Sequence, residues 1–155
     1  MLLTTSRKPS QRTRSFAQRL ARILGWTYIN RGKMNLREVL IEAGGPAAIL
    51  FERHGNPARI TFLDERGHEL GYILFNASFD LKPVSLRGAA RSARSCPDDL
   101  HTICRLMGLE HDPSVREGAW DIRPAGDYRG VMELIDSEGK PSGFKLIIKD
   151  IRMGE

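Results

Sequence analysis

Apolar residues change their spacing several times along the first 80 positions, and each change marks an element. Leu2 to Thr5 is short, apolar and β-branched, the pattern of a strand. Lys8-Pro9-Ser10 breaks it, with Ser10 placed to cap a helix. Thr13, Phe16, Ala17, Leu20, Ile23 and Leu24 then recur at helical spacing from Gln11 to Leu24, and Gly25 closes the helix. These six fall on one side of the helix. Arg14, Gln18 and Arg22 fall on the other, with Arg12 and Arg19 along one edge. Trp26 to Ile29 reads as a second strand, leading into an Asn30-Arg31-Gly32-Lys33 turn. Asn35 caps a second helix running to Ala43, with Leu36, Val39, Leu40 and Ala43 inward. Ala47 to Phe51 is a continuous apolar run, the mark of a strand buried on both faces. Arg59 to Leu63 and Glu69 to Phe79 complete a meander. Strand, helix, strand, helix and three strands make an α/β unit of about 80 residues.

The pattern weakens from Asp80 to Pro97. Small residues dominate, and between Asp80 and Asp98 stand Lys82, Arg87, Arg91 and Arg94 with no acid, which predicts a linker or mobile basic loop. Asp98 caps a helix to Met107, with Leu100, Ile103, Cys104 and Met107 inward. Gly118 to Ile122, Gly130 to Ile135 and Gly143 to Ile151 read as strands, the last two joined by a loop with Gly139 and Pro141.

Charge sharpens this division. The chain of 155 residues carries a net charge of +5 and has a pI near 9.6. Nine basic residues precede the first acid, Glu38, so everything after Arg37 sums to −4. From Asp98 onward, twelve acids face eight bases. An apolar fraction of 41% and a charged fraction of 28% are those of a soluble globular protein. Two cysteines suit a reducing compartment, no apolar run approaches the ~20 residues of a membrane span, and Leu2 and Leu3 lead into no signal-like core. The expectation is a cytoplasmic protein with no membrane partner.

Candidate chemistry is sparse. There is no phosphate loop of the GxxxxGK[ST] kind, since Met34 comes after Gly32-Lys33, and no HExxH, CxxC or GxSxG. Cys96, His101, Cys104 and His111 form the one cluster to weigh for zinc, but their spacing is not that of a common finger, and the predicted helix already accounts for His101 and Cys104. Asp98-Asp99 and Asp64-Glu65 sit at a cap and a turn, where acids are ordinary. The chain is therefore expected to be no enzyme and to need no metal or cofactor.

The nine early cations are the stronger signal: Arg7, Lys8, Arg12, Arg14, Arg19, Arg22, Arg31, Lys33 and Arg37. Seven are arginine, whose planar fork suits phosphate and base edges. They fall on two turns, one helix face and the start of a second helix. If the first two strands are parallel neighbours, both turns share the carboxyl edge of the sheet, where ligands of open α/β folds bind and helix N-termini add donors. Trp26, Tyr28 and Tyr72 read as core, so backbone and shape recognition of RNA is expected over base stacking. The alternative is a solvated helix face with incidental arginines.

Three segments in order carry a resemblance: LLTTSRKPSQRTRSFAQRLARIL at 2–24, INRGKMNLREVL at 29–40 and ERHGNPARITF at 52–62. Together they resemble the Brix-domain family of ribosome biogenesis proteins, over about the first 80 residues. The resemblance implies a non-enzymatic assembly factor acting on precursor ribosomal RNA, in the short single-domain archaeal form. Ribosomal proteins or other assembly factors would be further partners. It also implies an α/β (α+β) fold of two similar halves, each like the anticodon-binding domain of class II aminoacyl-tRNA synthetases. The first half would span about 1–80, a basic linker about 81–97 and a shorter second half about 98–155. The alternatives are a protein-protein scaffold of an assembly complex and a small RNA-processing enzyme.

Overall fold

The computed structural model describes residues 1–80 and 82–154. In chain order, β1 (Leu2–Thr5) leads through α1 (Gln11–Leu24) to β2 (Thr27–Tyr28), and α2 (Leu36–Ala43) leads to β3 (Ala47–Arg53). The meander continues with β4 (Asn56–Leu63) and β5 (Glu69–Ser78). Next come β6 (Ser92–Ser95), a 3-10 turn over Asp98–Leu100, α3 (His101–Met107), β7 (Glu110–His111), β8 (Ala119–Ala125), β9 (Tyr128–Ile135) and β10 (Pro141–Met153).

All ten strands belong to one mixed sheet in the order β2-β1-β3-β4-β5-β10-β9-β8-β6-β7, curled into a half-barrel. Parallel pairing is confined to β1 with β2 and β3, and to β6 with β7 and β8; every other pair is antiparallel. The expected fold of two similar α/β halves, each like an anticodon-binding domain, is thereby corrected. The thirteen-residue β10 pairs with β5 on one side and β9 on the other, so the sheet runs through without a boundary. One core unites Phe16 and Leu20 of α1, Ile103 of α3, Phe75 of β5, Trp120 of β8 and Phe144 of β10. Among the described residues after β5, the seven-residue α3 is the only α-helix, and none answers α2. Linker residues also joined the sheet: Ser92–Ser95 is β6, and its Arg94 grips Asp121 of β8 through Nε–Oδ1 at 2.6 Å and Nη2–Oδ2 at 2.9 Å. Local periodicity could not reveal this strand, because its pairing partners lie at residues 110–121.

The first helices form where the apolar spacing put them. Ser10 Oγ accepts from the Thr13 backbone N–H, and Gly25 closes α1 at φ 70°, a left-handed conformation natural to glycine. Thr13, Phe16, Ala17, Leu20, Ile23 and Leu24 are all buried. Asn35 and Glu38 form a capping box on α2. Leu3 on β1 faces the main core, while its neighbour Leu2 joins Val39 of α2 and Ala47 in a small second cluster. Alternating β1 side chains point to opposite faces, so α1 and α2 lie on opposite sides of the sheet.

Candidate nucleic-acid interface

β1 and β2 are parallel neighbours, Leu2 beside Thr27 and Leu3 beside Tyr28. The turns after them consequently open at one edge of the sheet. A cleft of about 510 Å³ opens there, lined by Lys8, Arg14, Gln18, Tyr28, Asn30 and Arg31 among others. Arg31 is pinned: Nε donates to the Met34 carbonyl at 2.8 Å and Nη1 to the Thr5 carbonyl at 3.1 Å. Arg7 Nε reaches the same Met34 carbonyl at 3.4 Å. Two guanidiniums thus converge on one oxygen. Burial and, after it, the charge of Arg7 push the Arg31 pKa below its ordinary value. Lys8 is exposed and takes φ 54°, a conformation uncommon outside glycine.

Compensation is what this edge lacks. Among the described residues, none of the nine early cations has a carboxylate within ion-pair distance. Arg59, Arg87, Arg94, Arg123, Arg129 and Lys140 each have one. The two helix starts do not add donors to the cleft, contrary to expectation. Glu52 Oε2 accepts from Ser10 N at 3.0 Å and from Thr13 Oγ1 at 2.5 Å, and Glu38 closes the box on α2. Each N-terminus already holds one of the chain's own carboxylates, which satisfies its dipole.

The nine cations are not one cluster. Lys8, Arg14 and Arg31 line the cleft, Arg7 meets Arg31 at the Met34 carbonyl, and Lys33 is exposed in the Arg31 turn. Arg37 stands in the first turn of α2, on the other side of the sheet. Arg12 lies over the Phe79 ring at 4.6 Å, a cation–π contact. Arg19 Nη1 donates to the carbonyls of Asp80 and Lys82, the latter at 2.8 Å. Arg19 and Arg22 also border a second, more apolar cleft of about 490 Å³ with Val84, Leu86 and Phe144.

Three cleft residues, Gln18, Tyr28 and Asn30, were not among the site residues expected from the sequence. Tyr28, read as core, is only half-buried; its hydroxyl donates to Asn30 Oδ1 at 3.1 Å. Burial raises its pKa, and the charge of Arg14 opposes that shift. Gln18 sits on the outward face of α1 between Arg14 and Arg22, and that placement was a usable signal. The zinc candidates come only partly together. The rings of His101 and His111 meet edge to face at 5.3 Å, and burial, then the adjacent Cys104, pushes the Cys96 thiol up to about 12. Among the described residues, no group of three or more His, Cys, Asp or Glu could hold a metal ion.

No protein-family model matches the chain. A probable Brix domain-containing ribosomal biogenesis protein of Methanothermobacter thermautotrophicus is 64% identical over 155 residues, the full length of both chains. Its counterpart in Pyrococcus horikoshii is 38% identical over 119 residues, which is 72% of this chain and 53% of that one. The crystal structure of Mil, an archaeal Imp4-like protein, superposes with a TM-score of 0.95 at 64% identity, covering 99% of this chain and 100% of that one. A probable ribosomal biogenesis protein from Aeropyrum pernix shares the fold, with a TM-score of 0.77 at 23% identity over 99% of this chain and 98% of that one. The expectation of a non-enzymatic protein rests on this kinship, and the segments at 2–24, 29–40 and 52–62 pointed to it correctly. The chain belongs to the Brix-domain family of ribosomal biogenesis proteins, in its short archaeal form.

Proposed function

We propose that this biogenesis factor grips precursor ribosomal RNA at the carboxyl edge of β1 and β2, in the cytoplasm and without catalysis. Arg7, Lys8, Arg14, Arg31 and Lys33 make the central phosphate contacts; Arg12, Arg19, Arg22 and Arg37 flank them. One observation carries this reading: Arg7 and Arg31 converge on the Met34 carbonyl, and among the described residues neither has a carboxylate within ion-pair distance. Like charges so placed repel, and a phosphate relieves that repulsion with short charge-assisted hydrogen bonds. The acidic part from Asp98 onward turns RNA away and orients the chain, or meets ribosomal proteins and other assembly factors.

Salt dependence of RNA binding is the test. Five contacts to single-stranded phosphates predict that log K falls with log salt at a slope of roughly −3 to −4. Arg14→Glu should weaken binding and flatten that slope while leaving the fold intact, since Arg14 bonds only Gln11 Oε1, at 3.4 Å, among the described side chains. A flat salt response in the unaltered protein, or full binding by Arg14→Glu, overturns the proposal. Association with assembly factors that survives RNase treatment would then favour the scaffold reading.

A further inference from the structure

We infer that the cleft takes one unpaired nucleotide of the RNA, base included, and not merely a phosphate from a duplex backbone. This rests on the RNA reading above and goes beyond it. A phosphate track needs cations on a surface. Here the cations border a concavity of about 510 Å³, within the range of small-ligand pockets. Lining it with them are neutral polar groups that a phosphate does not require: the Gln18 amide, the Asn30 amide and the Tyr28 hydroxyl.

Their hydrogen bonding leaves the right groups spare. Tyr28 satisfies Asn30 Oδ1, which orients the Asn30 amide and leaves its N–H donors without a partner among the described residues. Gln18 is exposed and likewise bonds no described group, so it presents both a donor and an acceptor. Carboxamides are the side chains that read a base edge with a donor and an acceptor together. In A-form duplex those edges lie in paired stacks, and the deep major groove is closed to side chains; an unpaired nucleotide can swing its base out. Pinned by the carbonyls of Thr5 and Met34, Arg31 is placed to meet the phosphate of such a nucleotide, with Arg7 beside it.

The assay compares two RNA hairpins that differ by a single bulged nucleotide, with 2-aminopurine at the bulge in a third. The bulged hairpin should bind about tenfold tighter or more than the fully paired one at equal salt, the size of one good base contact. The 2-aminopurine emission should change on binding. Gln18→Ala and Asn30→Ala should each lower the bulge preference while leaving the salt slope unchanged, as neither residue carries charge. Gln18 is solvent-exposed on α1, so its removal tests the cleft without endangering the fold. Equal affinity for bulged and paired hairpins with a steep salt slope would overturn this inference and leave the RNA reading standing. Absence of salt-dependent binding to either hairpin would overturn both.

Discussion

Replacing Phe16 by alanine removes the ring at the centre of the core. The ring is fully buried and lies 5.6 Å from Phe75, 5.3 Å from Phe79 and 5.4 Å from Phe144, centroid to centroid. These partners belong to β5, the segment after it, and β10, so one side chain ties α1 to the strands that join the two ends of the sheet. Truncating a buried phenylalanine costs about 3–5 kcal/mol. The upper end applies here, because aromatic pairs add about 0.5–1.5 kcal/mol beyond buried area and three are lost. With domains stable by roughly 5–15 kcal/mol, the variant folds but melts early. For a chain of this size a loss near that upper end should lower the Tm by about 10–20 °C. Urea unfolding monitored by far-ultraviolet circular dichroism and by tryptophan fluorescence gives the second readout. If the continuous sheet is one cooperative unit, both signals move to the same lower midpoint. A loss under about 1 kcal/mol, or one signal holding its midpoint while the other drops, would refute the reasoning.

Two further predictions come from the polar contacts. Hydrogen bonds from Thr13 and the Ser10 backbone hold the Glu52 pKa below its ordinary value. The resulting stabilisation is full above the unfolded-state pKa of about 4.3 and is lost as pH falls through the lower folded value. Glu52→Gln should therefore be less stable than the unaltered chain at neutral pH and nearly equal to it at strongly acid pH, measured by paired urea titrations; a gap that stays constant with pH would contradict this. Asp121→Ala should cost roughly 1.5–3 kcal/mol, because Arg94 loses both its bonds to that carboxylate. The same variant should leave RNA affinity unchanged in a filter-binding assay, and a parallel loss of binding would mean that Arg94 belongs to the RNA surface.

What the sequence disclosed was whatever is settled within a few residues. The α1 helix is a case: the Thr13-to-Leu24 apolar face, the Ser10 cap and the Gly25 stop are all local, and each stands where the spacing put it. The cap on α2 and the buried run of β3 are equally local. The sheet edge shared by the turns after β1 and β2 was also legible, once parallel pairing was assumed. What was hidden is non-local. β6 forms because Ala93 pairs with His111 and Trp120, and no feature of Ser92–Ser95 announces it. The continuous sheet depends on β5 meeting β10, far along the chain. Glu52 closing the α1 N-terminus is non-local too, since it sits 42 positions from Ser10. The split of the nine arginines and lysines into a cleft group and a flanking group has the same cause. The segment after β5, which engages Arg12 and Arg19, lies more than 60 residues on.

Pairing separates the cations that build this protein from those free to act. Arg94 and Arg123 are consumed internally: Arg94 by Asp121 and the Arg116 carbonyl, Arg123 by Glu133 at 3.0 Å. Both find their carboxylates in the acidic part of the chain, where a partner is close by. The first 37 residues contain no acid, so their cations can meet a carboxylate only from a later part of the chain. Glu52 of β3 is taken up by backbone and hydroxyl donors of the α1 start, and Glu38 by the α2 start, instead of by an arginine. That placement has a functional consequence. It occupies the helix terminus with the chain's own carboxylate, so under the proposed function Arg7, Lys8, Arg14 and Arg31 are the groups left to meet an incoming phosphate. On that proposal, the same carboxylate that stabilises α1 would direct RNA to the guanidiniums. Removing it should open a competing anion site at Ser10–Thr13 and blur the register of binding before it abolishes affinity.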